Sequence, residues 1–259
     1  MTPCFVLVLL FSASVVVSGS IEKRIVGSSA CKKDRQYHVQ IQAVQGGKVC
    51  GGALLNTRWL ITASHCAEQK VKVQLGLNND VSLGTKFFSF LKGNSKKYEQ
   101  QIEPKQQFTF KDESGKPHDI MLIKLNEDMP GKIPVISLPS QDCKRPELKS
   151  KVEIGGMGSK KAGNKLESSV RCASTEISAC GENDKPDSKY QSDESTTMCA
   201  HKPGVEACHG DAGSAVEYDG LLYGIIVSDP VDKCADPIVM MDICYYKQWI
   251  EDTMKKESA

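Results

Sequence analysis

The sequence Leu-Ile-Thr-Ala-Ser-His-Cys at residues 60–66 places a histidine and a cysteine directly after a short apolar run. Two further segments follow it along the chain: Asp119–Leu125, where an aspartate opens an apolar run, and Cys208–Gly213, which reads Cys-His-Gly-Asp-Ala-Gly. Taken singly, each is common, since an aspartate before a strand is typically a turn residue. Together and in this order, the three segments indicate one composite site.

The rest of the chain consists of short apolar or alternating runs separated by Gly, Pro, Asn and Lys clusters. Their length and β-branched content predict strands, over His38–Val44, Gly52–Ala63, Val71–Leu75, Ile120–Leu125, Val152–Ile154, Leu221–Val227 and Ile238–Ile243. Only Tyr245–Lys256 has apolar residues at helical spacing. The sequence therefore predicts an all-β protein with a C-terminal α-helix.

Composition excludes some partners and indicates a compartment. The 259 residues include 33 basic and 32 acidic side chains, a net charge of +1, which gives no electrostatic case for nucleic acid or an anionic membrane. Eleven cysteines are too many for an ordinary cytosolic protein. We expect a secreted monomer without a cofactor.

The N-terminus agrees with secretion. Phe5–Val17 is an apolar run followed by the small residues Ser18, Gly19 and Ser20, which predicts a signal peptide over residues 1–19. The run lacks a preceding Lys or Arg, and it is shorter than the roughly 20 residues that a membrane span needs. No later stretch of the sequence is long and apolar enough to span.

In these segments the sequence resembles the chymotrypsin/trypsin family of serine proteases, and the resemblance covers nearly the whole mature chain. It implies two six-stranded antiparallel β-barrels with the active site between them. It also implies a signal peptide at 1–19, a short propeptide at 20–24 and a protease-homologue domain at 25–259. The family's catalytic His, Asp and Ser fall on His65, Asp119 and Ala212.

Ala212 is the decisive departure from the family pattern. The chemistry needs a hydroxyl to attack the carbonyl carbon, an imidazole to accept its proton and a carboxylate to orient that imidazole. A methyl group stands where the attacking oxygen belongs. Further departures are Ser64 before the histidine and Ser214-Ala215 where the family has Gly-Pro. We therefore expect no working protease.

The resemblance also predicts a closed specificity pocket. Its floor residue falls on Glu206, one wall on Ser228, Asp229 and Pro230, and the opposite wall on Pro237–Met240. The family has glycine where Ile238 stands, and Pro230 lacks the backbone N–H that would pair with substrate. We expect Ile238 to fill the pocket. The alternative is that Glu206 still receives a basic side chain in a reshaped pocket.

Other family features are retained. Arg24-Ile25 resembles the family's activation cleavage point. Asp211 stands where the family has the carboxylate that pairs with the new α-amino group, here that of Ile25, and Gly210 and Ala212 stand where the family forms the oxyanion hole. Asp211 could instead simply cap a turn.

With Cys4 in the leader set aside, ten cysteines remain. The resemblance implies that they pair as Cys31–Cys172, Cys50–Cys66, Cys143–Cys244, Cys180–Cys199 and Cys208–Cys234. A metal site is the competing explanation for the cysteines, but the five histidines are scattered and no Cys-x-x-Cys occurs, so we expect no metal.

Three functions remain open from the sequence. The first is a protease homologue that acts by binding an extracellular protein. The chain is most similar to the inactivated serine protease paralogues of parasitic scabies mites, relatives of the group 3 mite allergens, which implies interference with host complement. The second is residual hydrolysis, and the third is a decoy for inhibitors or substrates. If the cleft is closed, candidate binding loops are Lys92–Lys97 and Cys180–Thr197.

Overall fold

The structure is a computed structural model that describes residues 25, 27–31, 34–76, 98–131, 133–159, 169–228 and 234–258. The expected signal peptide and propeptide lie outside these residues, as do Arg24, Asp229, Pro230 and the segment Lys92–Lys97. Expectations for them remain predictions.

The described residues form fourteen strands and one α-helix. In chain order they are β1 (Ser29–Ala30), β2 (His38–Ala43), β3 (Val49–Leu54), β4 (Trp59–Thr62), β5 (Val71–Gln74), β6 (Glu99–Ile102), β7 (Gln107–Lys111), β8 (Pro117–Lys124), β9 (Lys151–Gly156), β10 (Arg171–Ser178), β11 (Thr197–Ala200), β12 (Ala215–Tyr218), β13 (Leu221–Ile226), β14 (Ile238–Asp242) and α1 (Ile243–Lys256).

The first barrel is built from β2 to β8, with the order β6-β5-β2-β3-β4-β8-β7. Only a short 3-10 turn, Pro104–Gln106, separates β6 from β7. Because β6 pairs with β5 and β7 pairs with β8, these two strands act as one bent strand that closes the barrel. The closed unit therefore has six strands, all antiparallel.

The second barrel joins β9 to β14 in the order β10-β11-β14-β13-β12-β9. It closes because β9 also pairs with β10, in register from Arg171 opposite Gly156 to Glu176 opposite Lys151. The two-residue β1 adds to its edge beside β10. The predicted fold of two six-stranded antiparallel barrels with a C-terminal helix is confirmed.

One predicted strand was wrong in its extent. Gly52–Ala63 is not a single run but parts of β3 and β4, which form a hairpin with Ala53 opposite Ile61. Asn56 makes the turn, because its side-chain oxygen accepts hydrogen bonds from the backbone N–H groups of Arg58 at 2.8 Å and Trp59 at 2.9 Å. An asparagine that caps backbone donors in this way ends the first strand.

The helix α1 begins two residues earlier than predicted. Asp242 caps it by accepting a hydrogen bond from the Cys244 N–H at 2.9 Å, which satisfies one of the free donors of the first turn. Tyr246 and Ile250 are fully buried and fix the helix to the barrels. In the portion of the chain that the structure covers, no helix is long and apolar enough to cross a membrane.

Five disulfides cross-link the two barrels and their loops. They are Cys31–Cys172, Cys50–Cys66, Cys143–Cys244, Cys180–Cys199 and Cys208–Cys234. These are the pairs that the family resemblance implies. Such a density of disulfides is typical of proteins that fold in an oxidising compartment.

Candidate active-site cleft

The first barrel positions a histidine–aspartate pair. His65 lies in the 3-10 turn Ser64–Cys66 that follows β4, and Asp119 lies in β8, which pairs with β4. His65 Nδ1 is 2.7 Å from Asp119 Oδ2, and the His65 backbone N–H donates to Asp119 Oδ1 at 3.0 Å. The carboxylate thus orients both the ring and its backbone, and the other ring nitrogen, Nε2, lies 3.7 Å from Cys66 Sγ.

The second barrel places Ala212 next to this pair. The Ala212 carbonyl accepts a hydrogen bond from the Gly51 N–H at 2.7 Å. Gly51 follows Cys50, whose disulfide to Cys66 ties it to the residue after His65. Ala212 is 3% exposed and packs in the same apolar cluster as Cys50 and Cys66. The three residues that the resemblance groups are therefore brought together, and the third offers only a methyl group.

No neighbouring hydroxyl replaces the missing one within the described residues. Ser214 is fully buried, and its Oγ faces Gly51 so closely that a Cβ atom added there would collide with it. Thr62 Oγ1 donates to the Gly51 carbonyl at 2.8 Å, and Ser64 Oγ donates to the His118 carbonyl at 3.0 Å. Ser228 Oγ accepts from the Val239 N–H at 2.8 Å. Three of these hydroxyls are thus engaged with backbone groups, and the Ser214 hydroxyl is buried against Gly51.

Much of the described part of the expected specificity pocket is buried, although the expected floor residue Glu206 is partly exposed. Ile238 in β14 and Ala207, next to the expected floor residue Glu206, are both 0% exposed. They pack in one apolar cluster with Ile226. Ala207 also exchanges backbone hydrogen bonds of 3.0 and 2.7 Å with Ala235, which ties the residue after Glu206 to the segment that precedes β14. Water does not reach Ile238, so its side chain occupies interior space in this region.

The loop between Cys180 and Cys199 covers the other side of the pair. The Gln191 N–H donates to the Pro117 carbonyl at 2.8 Å, and Lys189 forms an ion pair with Glu68 of the first barrel. Between them, Tyr190 is 5% exposed. Burial raises the pKa of Tyr190, and the nearby carboxylates of Asp119 and Glu68 raise it further.

The sequence predicts Cys180–Thr197 as an exterior loop and gives little indication of its contact with the first barrel. The only signal was a single aromatic residue, Tyr190, in an otherwise polar stretch. With the loop in place, the His65 side chain is only 8% exposed. The pair is assembled but largely covered.

Asp211 and Ile25, the residues expected to link after cleavage, are both buried, at 0% and 1% exposed. Asp211 accepts hydrogen bonds from the Gly158 N–H at 2.9 Å and the Cys208 N–H at 2.8 Å. Burial nevertheless raises the pKa of Asp211 to about 7, although these two hydrogen bonds oppose the shift. Gly210 has φ +94°, a conformation that favours glycine.

Metal binding has little support in the described residues. The grouping of possible ligands that occurs there is Cys50, His65 and Cys66. Since the two cysteines are bonded to each other, neither offers the thiolate that a metal would bind.

Known proteins share a family with this chain. Residues 24–250 match the sequence model of the family described as Trypsin. The chain belongs to the trypsin family. Human Kallikrein-2 is 31% identical, across 96% of this chain and 97% of that protein.

Two solved structures superpose on most of the chain. Neuropsin, a serine protease of mouse brain, is 27% identical with a TM-score of 0.65, covering 89% of this chain and 100% of that one. Human heparin binding protein is 20% identical with a TM-score of 0.64, covering 89% of this chain and 97% of that one. The second likeness shows the shared fold.

Asp211 gives this trypsin-family chain a predicted pH dependence. Because the folded-state pKa of about 7 lies above the ordinary aspartate pKa of 3.8, the folded chain binds more protons than the unfolded chain between these pH values. This contribution to stability is present below pH 4 and is lost as the pH rises through 7. The limiting slope is about 1.4 kcal/mol per pH unit.

The measurement is the free energy of unfolding across this range for the uncleaved protein and Asp211→Asn. Burial and Arg35 lower the pKa of His38 to about 3, so His38 makes a contribution to the pH dependence of stability that has the opposite sign. Both proteins contain His38, so subtracting one free energy of unfolding from the other leaves the contribution of Asp211. We expect the wild-type advantage to shrink as the pH rises. Parallel curves for the two proteins would contradict the assignment. In protein cut after Arg24, an α-amino group paired with Asp211 should reverse the trend.

Proposed function

We propose that this trypsin-family chain is a secreted, catalytically inactive homologue that acts by binding another extracellular protein. The observation that carries the proposal is the methyl group of Ala212 beside an assembled His65–Asp119 pair. Removal of the nucleophile in a related triad enzyme costs roughly a millionfold in kcat. The five disulfides support an extracellular location.

Closure of the cleft supports binding elsewhere on the molecule. In support, Ile238 is buried in the region of the expected pocket, and Tyr190 is buried in the loop that contacts the first barrel beside the pair. A decoy that captures inhibitors or substrates needs an open cleft, so this arrangement disfavours it. The resemblance to inactivated mite paralogues directs the proposal to host complement or other host defence proteins as partners.

One alternative has a specific observation in its favour. The 2.7 Å contact between His65 Nδ1 and Asp119 Oδ2 keeps a general base oriented, as catalysis by the family requires. Residual endopeptidase activity through water is therefore the second candidate. Without a nucleophile it retains at most the contribution of binding and the oxyanion hole, about a thousandfold or somewhat more over water.

The test uses the protein cut after Arg24, incubated with a fluorophosphonate probe and with peptides that carry lysine or arginine at the cleavage position. We expect no labelling and no turnover above a heat-inactivated sample, because no activated hydroxyl is present. An active kallikrein at the same concentration is the positive control. Labelling that also disappears in His65→Ala would overturn the proposal. The same preparation should inhibit complement-dependent lysis of erythrocytes in host serum, whereas reduced and alkylated protein should not.

A further inference from the structure

A groove of about 760 Å³ lies on the second barrel, outside the cleft. It runs between residues 145–148, the end of β10 and the loop Cys180–Cys199. Its floor is apolar, with Ile177 and Met198 buried at 5% and 4% exposed beside the Cys180–Cys199 disulfide. The volume is within the range of sites that bind ligands or peptide side chains.

Leu148 stands at the edge of this groove and is 64% exposed. It is the most exposed of the large apolar side chains that the structure describes, ahead of Tyr245 at 47%, Val44 at 45% and Val135 at 43%. A single exposed leucine on a flat surface needs no explanation. Leu148 differs because it continues an apolar floor, so a partner that covers it also fills the groove.

The rim of the groove is acidic. Five acidic side chains line it against two basic ones, Arg145 and Lys185, although the whole chain carries a net charge of +1. The acidic residues are Glu147, Glu182, Asp184, Asp193 and Glu194. The local charge is therefore opposite in sign to that of the chain.

Several of these charges are occupied by the fold. Arg145 Nε donates to Asp242 Oδ2 at 2.9 Å and Arg145 Nη2 lies 2.8 Å from the same oxygen, so the positive charge of Arg145 is neutralised internally. Hydrogen bonds from Ser195 and Thr196 lower the pKa of Asp193, which holds the loop turn. Asp184 accepts from the Gly181 N–H at 2.7 Å.

Three carboxylates remain available for a partner. Glu147, Glu182 and Glu194 are exposed, and none of them forms an ion pair within the ranges that the structure describes. They surround the apolar floor and Leu148. A ligand that satisfies both features must present an apolar side chain together with positive charges.

We infer that this groove binds an extracellular polypeptide segment in which an apolar side chain is flanked by lysine or arginine residues. The inference rests on the proposed binding function and names the chemistry of the partner. Burial of the apolar side chain against Leu148 supplies most of the affinity, because removal of apolar surface from water is the main favourable contribution to such association. The glutamates supply selectivity and a faster, salt-dependent association.

The probe is a phage-displayed library of short random peptides, selected on the wild-type protein. The selected peptides should be enriched in lysine or arginine around an apolar residue. For a synthetic, fluorescein-labelled member, fluorescence anisotropy should show at least a tenfold weaker affinity for Leu148→Asp. It should show a similar loss for Glu182→Lys/Glu194→Lys, together with a weaker salt dependence.

Two matched variants serve as controls at exposed positions outside the groove. Val135→Asp repeats the apolar-to-acid change, and Glu113→Lys repeats the charge reversal. Both should bind the peptide with wild-type affinity. Circular dichroism and thermal unfolding should match for all variants, since the altered side chains are exposed.

Three outcomes would overturn the inference: selection that yields no peptide, peptides without the basic and apolar pattern, or affinity that Leu148→Asp leaves unchanged. None of these bears on catalysis. Labelling by the fluorophosphonate probe would instead refute the proposed inactivity while leaving peptide binding to the groove in place.

Discussion

Replacement of Gly213 by alanine is expected to destabilise the protein by about 4 kcal/mol or more, or to prevent folding altogether. Gly213 has φ +81°, and a Cβ atom there would collide with the Gly51 carbonyl oxygen and with Thr62 Oγ1. Neither atom can move easily, because Thr62 Oγ1 donates a hydrogen bond to the Gly51 carbonyl and the Gly51 N–H donates one to the Ala212 carbonyl. The collision would occur where the two barrels meet.

Gly220→Ala is the matched control for this prediction. Gly220 has a similar φ of +74°, but a Cβ atom there would have no neighbour within 4 Å. Gly220→Ala should lower the free energy of unfolding only by the cost of placing alanine in the left-handed conformation, about 1–2 kcal/mol. Urea unfolding with the disulfides intact measures both variants. Equal losses would mean that backbone strain, and not the collision, decides the requirement for glycine at 213.

The sequence was sufficient to predict the barrels where strands alternate clearly. In β2, Val39, Ile41 and Ala43 are buried while Gln40 and Gln42 remain partly exposed, which is the period of two that identifies a strand. Six strands escaped detection: β1, β6, β7, β10, β11 and β12. In β10, two of the three buried positions, Ala173 and Thr175, are small or polar, so that only Ile177 stands out from its neighbours.

The contact between His65 and Asp119 could be anticipated only through the family resemblance, since 54 residues separate them. Local periodicity does not reveal that β4 and β8 are neighbours. The cover by Tyr190 could not be anticipated in either way. It depends on the loop Cys180–Cys199 reaching the first barrel through Lys189 and Gln191, and such contacts leave no local pattern in the sequence.

Ala212→Ser is expected to leave peptide turnover within about tenfold of the background, although the restored oxygen is worth about a millionfold in a related triad enzyme. His65 and Asp119 are already in contact, so the nucleophile would have a base. Substrate would still be excluded, because Ile238 is 0% exposed in the expected pocket and Tyr190 covers the adjacent cleft. Initial rates with lysine and arginine peptide substrates measure the effect.

The double variant Ile238→Gly/Ala212→Ser then separates the two obstacles to catalysis, the missing nucleophile and the buried side chain in the expected pocket. Removal of the isoleucine side chain opens the space above Glu206, so the double variant should exceed either single variant in turnover. Its folding must be checked by thermal unfolding, because loss of a buried aliphatic side chain costs about 2–5 kcal/mol. Ala212→Ser/His65→Ala shows whether any activity depends on the pair. Robust cleavage by Ala212→Ser alone would mean that the cleft still admits substrate, and the missing oxygen would then be the only barrier to catalysis.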